Sequence, residues 1–132
     1  MAGQLSNYSA NEILDHMFNN ASWTSPTNTY LALFTSNPAA DASGDELSGG
    51  SYARQELSFA VSSGQTVTSN AAIAFTDMPS TGGSPVTHWA VFDASTSGNM
   101  LAYGALPSSI AANSGDEVSI DSGAIDFSFV TG

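Results

Sequence analysis

The chain has no cysteine, no lysine and a single arginine, Arg54, among 132 residues. Without cysteine there can be no disulfide scaffold, no thiolate metal site and no cysteine nucleophile. Twelve acidic residues face that one arginine, giving a formal net charge of −11. So acidic a chain repels phosphate backbones and anionic membranes, so neither nucleic acid nor a membrane surface is an expected partner. No apolar run reaches the roughly 18 residues that a membrane span needs. The stretch from Met1 to Ser9 lacks the basic start and apolar centre of a secretory signal, so a soluble product made in the cytoplasm is expected.

Only 10% of residues are charged, so the surface must be mostly Ser, Thr, Asn, Gly and Ala. That composition suits an extracellular or particle surface better than a cytosolic enzyme. A hydrophobic fraction of 42%, with seven Phe, four Tyr and two Trp, suffices for a core. The length is that of one domain, which divides into an arm (1–6), a helix (9–18) and a β core (29–132).

Val86 to Leu106 reads as the central hairpin. Strict alternation puts Val86, His88, Ala90 and Phe92 on one face, and Thr87, Trp89, Val91 and Asp93 on the other. Leu101 and Tyr103 then oppose Met100 and Ala102. Both faces carry apolar bulk, as in a strand covered on two sides. Tyr30 to Phe34 has the same character. Further strands are expected at Tyr52–Ala60, Thr66–Thr68, Ala72–Thr76, Glu117–Ile120 and Ile125–Phe129, with 66–68 and 72–76 pairing as a hairpin. In the last strand Ile125, Phe127 and Phe129 should face inward. Many short strands separated by turn residues predict a mainly β fold, a β-sandwich or jelly roll with one N-terminal α-helix. For that helix, Ser9 and Glu12 match a capping box. Ala10, Ile13, Leu14, Met17 and Phe18 form an apolar stripe that covers an edge of the β core or docks on another subunit. Asn19-Asn20 ends it.

Few residues suggest chemistry. Asp41, Asp45 and Glu46 lie in the Ser36–Ser51 loop, but their spacing does not match a calcium loop, and a solvated acidic tip is the plainer reading. His16 and His88 have no metal-ligand spacing. No Gly-x-Ser-x-Gly elbow occurs, and no carboxylate pair stands out. No catalytic residue, metal or cofactor is expected. Arg54, alone among carboxylates, should be paired through its guanidinium fork, with Asp93 or Asp77 as an internal clamp or with another subunit.

Four stretches carry a resemblance. They are Leu5-Ser6-Asn7-Tyr8 with Ile13-Leu14-Asp15-His16; Tyr30 to Thr35; Glu46 to Gln55, with Ser48-Gly49-Gly50-Ser51-Tyr52-Ala53-Arg54-Gln55 the most specific part; and Val86 to Trp89 with Phe92-Asp93-Ala94, Gly98-Asn99 and Tyr103 to Leu106. In these the chain resembles small bacteriophage virion proteins labelled tail fibre or decoration proteins, and it departs from their pattern in the Met78–Pro85 loop. The resemblance implies a non-enzymatic structural protein of the virion. The expectation is a capsid decoration (cement) protein that contacts the major capsid protein or other virion proteins as a homo-oligomer, a dimer or trimer. The alternative is a tail or head fibre component that binds host glycans through the Ser36–Ser51 loop, Tyr52 and the loop near Trp23. Leu5, Tyr8, Tyr52 and Arg54 are the expected assembly contacts.

Overall fold

The computed structural model describes residues 1–129. In chain order the elements are β1 (Gln4–Leu5), α1 (Asn7–Phe18), β2 (Thr29–Phe34), β3 (Gln55–Leu57), β4 (Thr66–Thr68), β5 (Ile73–Phe75), β6 (Val86–Phe92), β7 (Met100–Ile110), β8 (Val118–Ile120) and β9 (Asp126–Ser128). A five-stranded antiparallel sheet runs in the order β1-β7-β6-β2-β3. Two two-stranded ribbons, β4-β9 and β5-β8, complete the strands. The result is a sandwich whose second layer is split into these ribbons, mainly β with one helix.

The central hairpin is β6-β7, flanked by β2. Leu31, Leu33, Trp89 and Val91 point to the main core, where Leu57, Ile73, Phe75, Val118 and Ile120 meet them. The alternate positions Ala32, Phe34, Ala90 and Phe92 form a second cluster with Met100 and Tyr103 on the opposite face. Double-sided burial of β2 and β6 is therefore as the alternating apolar residues imply.

Two register shifts change the expected faces. The register jumps between Val86 and His88, so Val86 joins Trp89 and Val91 in the main core and leaves the face of His88. A second shift lies between Val91, opposite Ala102, and Phe92, opposite Met100. Leu101 is the extra residue there. It shares an apolar pocket with Val91 and Ala102, while Met100 and Tyr103 go to the other face. One inserted residue resets a period-two pattern.

The proposed 66–76 hairpin does not form. Thr66–Thr68 pairs with Asp126–Ser128, and Ile73–Phe75 pairs with Val118–Ile120. Ser69, buried between the two ribbons, donates its N–H to Ile125 O, its carbonyl accepts from the Gly123 N–H, and its Oγ accepts from the Ile125 N–H at 3.2 Å. The outer strands are also shorter than expected: β3 covers only Gln55–Leu57 of the Tyr52–Ala60 run.

The arm is tied to its own chain. β1 pairs with β7, Ala2 bridges Asp126, and the Gly3 N–H donates to the Asp126 carbonyl at 2.8 Å. The Ser36–Ser51 loop is likewise fastened. Its Glu46 bridges Phe34, the Leu47 N–H donates to Leu33 O, and Pro38 is fully buried.

Candidate interaction surface

The helix starts earlier than its sequence suggests. Ser6 is the N-cap, and its Oγ accepts from the Ser9 N–H at 3.1 Å. Two serines three residues apart offer two caps, and the pairing of β1 with β7 selects the first by fixing the chain up to Leu5. Ser9 is thus inside the helix, 2% exposed, with its Oγ lacking a partner. At the other end Asn19 Nδ2 donates to Asp15 Oδ1 at 2.8 Å, and Asn20 turns the chain with φ 55°. His16 Nδ1 donates to Ala21 O at 3.0 Å.

The apolar stripe of α1 is mostly uncovered. Leu14 is 52% exposed, Met17 63% and Phe18 73%. Beneath them runs an apolar groove of about 690 Å³ between the helix and the β4-β9 ribbon. Leu5, Ile13, Val67 and Phe127 line it, and Phe129, 58% exposed, stands at it. None of the groove's lining residues is charged. A smaller apolar pocket of about 260 Å³ continues inward from Leu5, Ile13 and Phe127 toward Trp23 and Leu101. Phe129 was expected to face the core. It lies just beyond the last residue of β9, with its N–H still donating to Gln65 O at 2.9 Å and its side chain turned out toward the groove.

Tyr52 and Arg54, two of the four expected contacts, make hydrogen bonds within the fold. The Arg54 side chain is only 8% exposed. Its Nε and Nη2 donate to Glu46 Oε1 and Oε2 at 2.9 and 2.8 Å, a fork-to-fork pair. Nη1 donates to the carbonyls of Ala94 and Ser97 at 3.0 and 2.8 Å. The guanidinium carbon lies 3.6 Å from the centre of the Phe92 ring. The clamp is internal, but its acid is Glu46 and neither Asp93 nor Asp77. Asp93 is occupied by Asn99 within the β6-β7 turn, and Asp77 accepts from Ser51 Oγ. The long-range bridge between Phe34 and Glu46 brings the right carboxylate alongside, which spacing does not reveal.

Tyr52 OH donates to Glu46 Oε1 at 3.0 Å and accepts from the Leu33 N–H at 2.9 Å. Its ring stacks on Phe75, with centroids 6.0 Å apart. Burial, the largest influence, and the neighbouring Glu46 carboxylate push the phenol's pKa well above its ordinary value; the Leu33 N–H opposes them. Leu5 and Tyr8 remain near surface grooves. Leu5 lines both apolar pockets, and Tyr8 meets Trp23 edge to face at 6.3 Å.

The Asp41 carboxylate accepts from the Ser43 N–H at 3.1 Å, and its bonds with Ser43 hold its pKa below the usual value. Among the described residues no group of three His, Asp or Glu is placed to hold a metal ion. His88 Nδ1 lies 2.8 Å from Thr87 Oγ1 beside a polar groove formed with Asn37, Gln4 and Tyr103. No helix among the described residues is long and apolar enough to cross a membrane.

Compared with known protein families, residues 4–128 match the model described as Podophage GP4 fiber I protein gp80. The chain belongs to this family. No curated protein matches it. The fiber I family is one of phage structural proteins and not of enzymes, and membership puts this chain in the virion. The match spans every β-strand and the helix.

Of the fiber I chain's surface residues, the sequence singled out Met17 and Phe18 through the helical stripe. It missed Val61, 93% exposed, and Phe129. Val61 lies beyond the Tyr52–Ala60 run and Phe129 beyond the last residue of β9, so alternation could not reveal their exposure.

Proposed function

We propose that this fiber I family chain is a non-catalytic subunit that works by association, joining other virion proteins through the uncovered face of α1 and the groove beside it. One observation carries the reading. Three large apolar side chains of a single helix stand in water above an uncharged groove, and contiguous exposed apolar surface of this kind marks an interaction site. The Arg54–Glu46–Tyr52 clamp supports it indirectly. It holds the loops rigid without leaving a reactive group poised in a cleft.

The family description favours a fibre as the setting. The net charge of −11 favours a second setting, the outside of a capsid, away from packaged nucleic acid. There many copies would cement neighbouring capsid subunits by weak contacts acting together. In either setting the expected partners are virion proteins. A host-glycan site would have to do without Tyr52, whose ring and hydroxyl are engaged internally.

Cryo-electron microscopy of the intact particle, with quantitative mass spectrometry of its proteins, separates the two settings. A handful of copies at a fibre supports the first, and hundreds over the shell support the second. Absence from purified particles would refute both.

A further inference from the structure

We infer that the α1 groove takes a second copy of this chain, in a twofold contact where Phe18 and Met17 of each copy enter the groove of the other. The inference rests on the reading of this face as an association surface, and it names the partner. Knob and hole occupy the same patch: Phe18 and Met17 project from the helix wall of the groove they adjoin. A closed twofold contact needs such self-complementarity, because each copy presents the same surface to the other.

Charge narrows the choice of partner. The chain carries −11, and its one arginine is spent on Glu46. Two copies therefore repel one another wherever their acidic groups face, and they approach best through a patch without ionisable groups. The groove lining is such a patch. A basic partner would be drawn to acidic surface and would gain nothing there.

The exposed aromatics supply about half the area that a specific contact needs. An aromatic side chain buries about 150–250 Å² when covered, so Phe18 and Phe129 at their observed exposures hold out roughly 200–330 Å² per copy. Two copies withdraw about twice that before Leu14, Met17 or the groove walls are counted. Those must bring the total to the roughly 1,000 Å² of a specific interface.

The test is sedimentation velocity of the full chain over a wide dilution series, at low and high salt. The wild-type protein should be a dimer, and it should tighten as salt rises, because screening removes like-charge repulsion. Phe18→Asp, carried by both copies, should weaken dimerisation by about a hundredfold or more. At dilutions where both proteins are monomeric their thermal midpoints should agree, since Phe18 is 73% exposed within one copy. Met17→Gln is the second variant and should act in the same direction. A dimer indifferent to both substitutions, a trimer, or a contact weakened by salt overturns the inference. A wild-type monomer whose Phe18→Asp variant no longer binds purified particles also overturns it, and gives the groove to another virion protein while the association reading stands. A wild-type monomer whose variants bind particles normally overturns both.

Discussion

Replacing Arg54 with Met removes the centre of the clamp, and its cost follows from the geometry. The guanidinium makes two charge-assisted bonds to Glu46 and two bonds to the Ala94 and Ser97 carbonyls. A hydrogen bond to a charged group contributes about 1.5–3 kcal/mol, and removing one member of a buried pair costs about 3–5 kcal/mol. The Glu46 side chain is 27% exposed, and Tyr52 OH still donates to it, so water and the phenol recover part of this. Methionine keeps the stem packed on Phe92 but forfeits the cation–π contact, about 0.5–1 kcal/mol. The expected loss is about 2–4 kcal/mol. For a chain of this length that lowers the melting temperature by about 8–15 °C. Differential scanning calorimetry and urea unfolding measure it. A double-mutant cycle with Glu46→Gln should give a coupling energy of about 1–3 kcal/mol, because the two side chains share bonds. If Arg54→Met melted within about 1 °C of the wild type, or if the two substitutions were additive, the internal clamp would be refuted. Lost particle binding at unchanged stability would return Arg54 to the role of an assembly contact.

Ser6→Ala should cost about 1 kcal/mol through loss of the helix cap, whereas Ser9→Ala should be neutral or slightly stabilising, because its buried hydroxyl has no partner. Denaturant midpoints in the reverse order would restore the Ser9 capping box. Gly104→Ala should cost about 1–3 kcal/mol, because a Cβ there would lie 2.5 Å from Cζ2 of the fully buried Trp89; unchanged thermal stability would show that the indole can move. Tyr52 has a raised pKa in the fold, so only the unfolded chain loses that proton just above pH 10.0. The stability Tyr52 contributes is thus complete below that pH and is lost above it, at up to about 1.4 kcal/mol per pH unit. Tyr52→Phe should flatten the alkaline slope of stability, and an equal slope in both proteins would contradict the burial argument.

Much of this architecture is legible in local pattern. Apolar residues on both faces of Tyr30–Phe34 and Val86–Phe92 mark the two strands covered on both sides, since side-chain direction alternates whatever the partner. Helical spacing marks α1, and the Asn pair marks its end. The scarcity of positive charge makes Arg54 a paired residue, because an isolated guanidinium among so many acids will not stay unpaired. What local pattern cannot supply is the identity of distant neighbours. Three-residue strands such as β4 and β5 have no periodicity long enough to choose a partner, so β9 and β8 were settled by packing against the main sheet. The bulge at Leu101 and the choice of Glu46 over Asp93 and Asp77 arise from register and chain crossing. The exposure of Leu14, Met17 and Phe18 was decided by the same tertiary arrangement: an apolar stripe looks alike in sequence whether its own fold covers it or leaves it for a neighbour.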